Sequence, residues 1–234
     1  MKIIDEYDSN KYIEVKKEYI HAKGGDGTLL KAIQMFKNKG LPFFGEAAGT
    51  ENFLMNPAGS SPKKFSYPQK FNLIKAKITY MNLERDLSSI DDHYVEREKE
   101  IQAFNDIMIG GDMNSWINFS IQDENNIFGD FKGGGIIIST SQGSTGINKN
   151  NGGVIMPLSS NNWSITGDKT NRKINYVVEP KKIIIECNSR NEIVLWGDGS
   201  NNIIKNIKRV EITKGDEVTL LFNDYKSFQR KRRI

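Results

Sequence analysis

The sequence predicts a chain of α/β plus all-β class. A small Rossmann-like α/β domain with a GGDGT turn comes first, a larger β-sandwich-type domain follows, and a C-terminal tail returns to the first domain. Two observations carry this. Between Tyr19 and Gly45 the apolar spacing runs strand, glycine cluster, helix, strand, which is one βαβ unit and implies a parallel strand pair. From Phe71 to Phe222, short runs rich in β-branched and aromatic residues alternate with turn clusters, the pattern of an all-β domain. The domains are accordingly placed at 1–70, rejoined by 222–234, and at 71–221.

In order along the chain, Tyr19–Lys23 is the first strand, and it runs directly into Gly24-Gly25-Asp26-Gly27-Thr28. Leu29, Leu30, Ile33 and Phe36 then recur at helical spacing, Gly40 ends the helix with Pro42 behind it, and Leu41–Gly45 is the second strand, in keeping with glycine and proline as stop signals. Pro57–Lys70 holds Pro57, Pro62 and Pro68 and reads as a linker. Further strands are expected at Phe71–Met81, Ile101–Ile109, Trp116–Ile121, Gly135–Thr140, Ile174–Val178, Lys181–Cys187, Glu192–Trp196, Lys208–Thr213 and Glu217–Phe222. Turns are expected at Asp123–Asn126, Asn188–Asn191 and Lys214-Gly215-Asp216. The end, Asn223–Ile234, reads as a helix with Tyr225 and Phe228 on one face.

Composition narrows the function classes. With 37% hydrophobic and 26% charged residues the 234-residue chain can bury a core, so wholesale disorder is excluded. No run approaches the roughly 20 apolar residues of a membrane span, and acids stand where a secretory signal would be apolar. The single Cys187 can form neither an intramolecular disulfide nor a cysteine zinc cluster. A cytoplasmic protein without a membrane partner is expected. The net charge of +4 is concentrated in the last nine residues, which hold Lys226, Arg230, Lys231, Arg232 and Arg233 and no acid. Nucleic acid is not expected as a partner, because such a segment is also the ordinary solvated end of a closing helix.

The strongest chemical signal is Gly24–Thr28. Glycines between a strand and a helix let backbone approach a ligand, and the helix N-terminus favours phosphate. The spacing matches neither the Walker A loop nor the dinucleotide GxGxxG. An acid inside such a cradle makes sense if Asp26 is a general base or helps hold a magnesium ion on the phosphates; the plain alternative is a helix cap. Gly133–Gly153 opens a strand into a loop of small hydroxyl residues, including Ser139, Thr140, Ser144 and Thr145, suited to a ligand lying against backbone. Asn105-Asp106 interrupts an apolar run, which fits either hydrogen bonding to a sugar diol or base, or a bulge or strand end. Asp198-Gly199 reads as a hairpin turn. His21 and His93 lack metal-spaced partners, and Cys187 alternates with Ile183 and Ile185 as a packed strand residue.

Taken in order, these segments resemble the NAD kinase family. That family opens with GGDGT, as at Gly24–Thr28, and continues with a G-x-N-x-G-x-x-G-F-L stretch, here Gly45 to Leu54 with Gly45, Gly49, Phe53 and Leu54 in register. Its A-L-N-E is matched by Ala103-Phe104-Asn105-Asp106, its G-D-G-L-x-V-S-T-P-T-G-S-T-A-Y by Gly133–Ile147 followed by Gly152-Gly153, and its D-G-Q by Asp198-Gly199-Ser200. The resemblance covers about residues 18–234. It implies phosphoryl transfer from ATP, with magnesium, to the 2′-hydroxyl of the adenosine ribose of NAD. Asp26 would accept the hydroxyl proton, and Gly25, Gly27 and Thr28 would cradle phosphates. Asn105 and Asp106 would hold NAD by its base and ribose, while Ser139, Thr140, Ser144 and Thr145 line the adenosine pocket, with Ile147 where the family has tyrosine. A homodimer or homotetramer is implied, and is also expected from the many strands and few helices.

The chain departs from the pattern at several points. Gly134 replaces the acid of G-D-G, Ala47 the usual Asn, Asn52 the usual Gly before F-L, and Asp106 the usual Glu. Only about 18 residues precede the first strand of the βαβ unit, so the family's opening βα unit is expected to be truncated or absent. Two alternatives follow: a catalytically weak NAD- or nucleotide-binding regulatory module, or a lipid kinase of the diacylglycerol type, which also carries GGDGT.

Overall fold

A computed structural model describes residues 1–5, 8, 10–48, 52–64, 66–85, 92–111, 115–188, 192–198 and 203–230. Gly49, Gly199 and Ser200 of the motifs, the turn residues 189–191 and the basic residues 231–233 lie outside the described residues. The chain divides into two compact units, Met1–Asn72 with Glu217–Ile234, and Leu73–Asp216.

The first unit begins with β1 (Lys2–Ile4), β2 (Tyr12–Val15), β3 (Ile20–Gly24), α1 (Asp26–Phe36) and β4 (Phe43–Ala47). The parallel pair implied by the βαβ pattern is β3 with β4, in register from Ile20 opposite Phe43 to Gly24 opposite Ala47. Helix α1 buries Leu29, Ala32, Ile33 and Phe36, the i, i+3, i+4, i+7 stripe of an amphipathic helix. After a 3-10 turn at Lys37–Lys39 the helix ends at Gly40, whose φ of 66° is left-handed, a conformation that glycine adopts without steric cost. The first 18 residues are not featureless: β1 and β2 form an antiparallel hairpin, and β2 adds to β3 with Tyr12 opposite Lys23. Strands of three and four residues are too short for periodicity to reveal.

The second unit is built from β5 (Tyr67–Arg85), β6 (Asp92–Ala103), β7 (Asp106–Gly111), β8 (Ile117–Asp123), β9 (Ile127–Gly133), β10 (Gly135–Ser139), a short helix α2 (Ile147–Asn150), β11 (Trp163–Asp168), β12 (Asn175–Val178), β13 (Ile183–Cys187), β14 (Ile193–Gly197), β15 (Ile204–Lys205) and β16 (Ile207–Phe222). One layer has the order β16-β13-β8-β9 with β5 and β6, the other β12-β11-β10-β7-β14-β15. Alternate residues of both layers share one apolar core. Ile74, Phe119, Ile185 and Ile212 come from the first layer, and Ile109, Ile138, Trp163 and Leu195 from the second. Cys187 belongs to this core, and burial pushes its thiol pKa up to about 12, so it packs as the alternation predicts.

β5 starts, and β16 ends, in the first unit. There β16 joins β4 as a parallel neighbour at Leu220 and Phe43, and the side chain of Asn56 donates to the carbonyls of Gly45 and Leu221 while accepting from the Asn223 amide. The linker expected to Lys70 therefore ends earlier, at β5. The closing helix α3 (Tyr225–Arg230) buries Phe228 against Phe222 and Tyr67, with ring centroids 5.3 Å away in each case. Tyr225 is 51% exposed but sets its ring edge-on against Tyr67 at 4.9 Å, so both residues of the pair face Tyr67 and Phe228 is the buried one.

Three strand expectations need correction. Ile101–Ile109 is not one strand: the ladder breaks at Phe104-Asn105 between β6 and β7, where side chains from elsewhere capture the peptide groups, as described below. Lys208–Thr213 and Glu217–Phe222 are one strand, and no turn forms at Lys214-Gly215-Asp216. Gln102 bonds both the amide and the carboxylate of Asp216, and a Cβ on Gly215 would lie 2.6 Å from Gln102 Oε1. This glycine marks a close approach within a sheet rather than a turn. Strands β9, β11 and most of β6 were not foreseen. In β6 the residues from His93 to Glu100 are exposed except for one half-buried position, and ion pairs such as Lys77 with Glu98 run across to β5, so no apolar alternation marks it.

Candidate active site

Each unit holds one of the motif clusters. In the first, β3 delivers the chain to Gly24 with φ of 155°. A Cβ there would lie 2.2 Å from Thr28 Oγ1, so only glycine permits the turn to fold back on the first turn of α1. Gly25 is the N-cap, makes no side-chain cap bond, and offers its carbonyl to the amides of Thr28 and Leu29 at 3.0 and 3.3 Å. Asp26 is the first helical residue, and its carboxylate turns away from the helix amides. Oδ2 accepts from the Phe53 amide and Oδ1 from the Leu54 amide, both at 2.9 Å. The helix-cap alternative for Asp26 is thus corrected: the carboxylate clamps the F-L segment. Each oxygen keeps a further lone pair for another donor. Gly25, Asp26 and Thr28 are half-buried and Gly27 is exposed, so the turn faces solvent while its base is packed. Asn52, at the position of the usual Gly, brings its Oδ1 to 3.6 Å from where a Cβ on Gly25 would be.

In the second unit the break between β6 and β7 is the centre of the cluster. Asp198, at the end of β14 with a left-handed φ of 46°, points its carboxylate at three consecutive amides. It accepts from Phe104, from Asn105 at 2.7 Å and from Asp106 at 3.4 Å. From the other side Thr140 Oγ1 reaches the carbonyls of Phe104 and Asn105 at 2.8 and 3.0 Å. Gly143 packs so closely on Asn105 that a Cβ would lie 2.3 Å from its carbonyl oxygen. The peptide groups that leave the ladder are therefore all bonded, as burial requires. Burial and the Asp198 charge together raise the Asp106 pKa to about 7, burial being the larger cause.

These contacts sort the hydroxyl residues of the 139–147 loop. Ser144 is fully buried, its hydroxyl donating to the Ser141 carbonyl at 2.9 Å and accepting from the Met156 amide at 3.0 Å. It pins the loop, as Thr140 pins Asn105. Ser139 stands opposite Asp106 on β7 and Ser164 on β11, and both serine hydroxyls are buried without a hydrogen-bond partner among the described residues. Asn105, Asp106, Thr145 and Ile147 are half-buried and so are the members of the set that a ligand can reach. Sequence reasoning missed two structural holders. Asp198 had the bland signature of a hairpin turn. Asn148, fully buried, donates to the carbonyls of Ser144 and Val154 and accepts from Thr166, and an Asn among surface-like Asn and Lys residues gives no signal of burial.

Among the described residues no group of three or more His, Cys, Asp or Glu could hold a metal ion, and no helix is long and apolar enough to cross a membrane. No protein-family model matches the chain. The chain is 29% identical over 202 residues to the NAD kinase of Clostridium tetani, covering 84% of this chain and 71% of that one. It is 23% identical over 216 residues to the NAD kinase of Flavobacterium psychrophilum, covering 91% and 69%. A shorter match of 32% identity over 145 residues, to the NAD kinase of Campylobacter lari, spans 59% of this chain and 48% of that protein. In fold it is similar to an NAD kinase from Archaeoglobus fulgidus solved in complex with ATP (TM-score 0.69, 19% identity, 89% of this chain and 79% of that one). It is likewise similar to yeast NADH kinase complexed with NADH (TM-score 0.70, 16% identity, 90% and 64%). With the motifs in family order on a sheet-dominated α/β fold of the same kind, these matches support a divergent member of the NAD kinase family.

Proposed function

We propose that the chain is an NAD kinase that transfers the γ-phosphoryl group of ATP to the 2′-hydroxyl of the adenosine ribose of NAD. The observation that carries this reading is the 202-residue match to an NAD kinase, which extends over most of a chain whose two units each hold a motif cluster. In this reading Asp26 accepts the proton of the 2′-hydroxyl as that oxygen bonds to the γ-phosphorus and the bond to the departing ADP oxygen breaks. Gly25, Gly27 and Thr28 cradle phosphates at the start of α1, where backbone amides and the helix dipole favour anions. Asn105 and Asp106 hold NAD, with Thr145 and Ile147 beside them. Ser139, Thr140 and Ser144 belong to the same pocket, the last two by holding its walls. A magnesium ion bound with ATP supplies charge neutralisation. In this reading the ion rides on the ATP phosphates that Gly25, Gly27 and Thr28 cradle, and Asp26 is kept for the proton. Catalysis is then chiefly positioning and electrostatics.

A homodimer or homotetramer is the proposed assembly. Exposed apolar residues include Ile127 on the edge strand β9 (81% exposed) and Val177 on the edge strand β12 (45%), whereas ion pairs such as Lys182 with Glu211 keep the outer face near β13 and β16 wet. A single 26.6 kDa species in sedimentation at micromolar concentration would refute the assembly.

The test of function is a coupled assay for NADP formation from NAD, ATP and magnesium. Turnover is expected. Retained NAD binding by calorimetry without turnover would instead establish the regulatory binding module.

A further inference from the structure

We propose that Asp168 supplies a substrate-binding carboxylate in the place left by Gly134. This rests on the NAD kinase reading, in which the position of Gly134 carries an acid. The chain has no side chain there, yet the space is not empty. A Cβ built on Gly134 would lie 2.6 Å from Asp168 Oδ2 and 3.3 Å from its Cγ. A carboxylate from the end of β11 therefore occupies the ground that a side chain on the β9–β10 connection would otherwise enter.

Asp168 is fixed there from both sides. Its carbonyl accepts from the Gly134 amide at 2.9 Å, and its Cα is paired with Gly135 in the β10–β11 ladder. The turn that follows is fastened to the same connection. The Asn171 amide donates to the Lys132 carbonyl at 2.8 Å, and the Lys132 amide donates to Asn171 Oδ1 at 3.0 Å. Lys169 takes a left-handed φ of 48°, and a Cβ on Gly133 would meet Thr170 Cα at 2.7 Å. Glycines at 133 and 134 are what let this turn lie so close.

The carboxylate itself is unspent. Asp168 is half-buried, and among the described residues its side chain makes no hydrogen bond or ion pair. A carboxylate can take about four donors, and this one is held in place with its acceptor sites open. Ribose hydroxyls are donors of the right kind, since two vicinal hydroxyls can bond both oxygens at once. The substrate class that Asp168 recognises is thus the ribose diol of the dinucleotide.

The test is a swap. Asp168→Asn keeps the shape and the turn but lacks the charge and half the acceptor capacity. It is expected to raise KM for NAD about tenfold, the scale of one lost charged hydrogen bond, with KM for ATP and the melting temperature close to the parent's. Gly134→Asp alone is expected to lower the melting temperature, because its Cβ meets the Asp168 carboxylate. The double variant Gly134→Asp/Asp168→Ala should recover both the melting temperature and most of the NAD affinity. Asp168→Asn with a parent-like KM for NAD, or a folded double variant with no better affinity than Asp168→Ala, overturns the inference and leaves the kinase reading intact. A parent protein that neither binds NAD nor makes NADP overturns both.

Discussion

Asp26, in the first unit, accepts one backbone amide on each carboxylate oxygen, from Phe53 and Leu54. Asp198, in the second, gathers three consecutive amides, from Phe104, Asn105 and Asp106. Both use an acid to fix a loop that has left regular hydrogen bonding, yet they differ in where the strain sits. Asp26 is helical and ordinary in backbone, and the unusual φ is delegated to Gly24 two residues earlier. Asp198 carries its own left-handed φ, which aspartate tolerates better than most residues. They differ also in company. Asp198 has a second acid beside it, Asp106, whose pKa rises to about 7, because burial and a like charge both disfavour a second carboxylate. One unit thus keeps a carboxylate with lone pairs to spare beside a turn open to solvent, and the other keeps a half-buried acid able to hold its proton near neutrality. In the proposed reading the first arrangement serves proton acceptance and the second serves hydrogen bonding to a ligand.

The largest effect expected from breaking this pair is at Asp26. Asp26→Asn should lower turnover by roughly 10²-fold or more, the scale for losing a positioned acid–base group. It should also lower the melting temperature modestly, since an amide cannot accept from both Phe53 and Leu54. A variant folded at the assay temperature and working within about tenfold of the parent would leave Asp26 as a clamp alone.

Next comes the delegated strain. Gly24→Ala places a Cβ 2.2 Å from Thr28 Oγ1 at a φ of 155°, and should cost about 3 kcal/mol of stability. Chemical denaturation reads this directly, and a midpoint equal to the parent's would show that the turn relaxes freely. The matching change in the second unit, Asp198→Asn, should cost about 1.5–3 kcal/mol, the range for a hydrogen bond to a charged group. It should also bring the Asp106 pKa part of the way down, because burial, the larger cause, remains. Carboxyl chemical shifts followed against pH would reveal an Asp106 that does not respond, and so a pair that is not coupled.

The smallest effect concerns pH. The folded-state pKa of Asp106 lies near 7, above its unfolded value of about 3.9. The folded protein therefore binds more protons between those limits. The stabilisation is present in full below the unfolded value and is lost as pH rises through about 7. Asp106→Asn should flatten this slope and raise the melting temperature at pH 8 by a few degrees, on the scale of about 2–4 °C per kcal/mol for a chain of this size. Melting curves at pH 5 and pH 8 that shift equally in the variant and the parent would place the cause elsewhere.

Several features were legible in residues alone. The strand, turn, helix and strand from Ile20 to Ala47 follow from a stripe at Leu29, Ile33 and Phe36 bounded by glycines, because helix periodicity and positive-φ glycines are local properties. The buried alternation of Ile183, Ile185 and Cys187 was equally plain. The family resemblance rested on motif order, which is also written in the chain. Tertiary structure alone decided the rest. Gly215 reads as a turn residue, but it lies inside a 16-residue strand because Gln102 needs the space. Ser144 and Thr145 read alike, yet one hydroxyl is spent inside the loop and the other residue is half-buried at its surface. Asp198 is 92 to 94 residues from the amides it holds, and Asp168 stands 34 positions from the glycine whose place it fills. Local propensity is set by a residue and its near neighbours. Which carboxylate meets which amide, and which glycine makes room for which acid, is set by strands that come together only when the sheets close around their core.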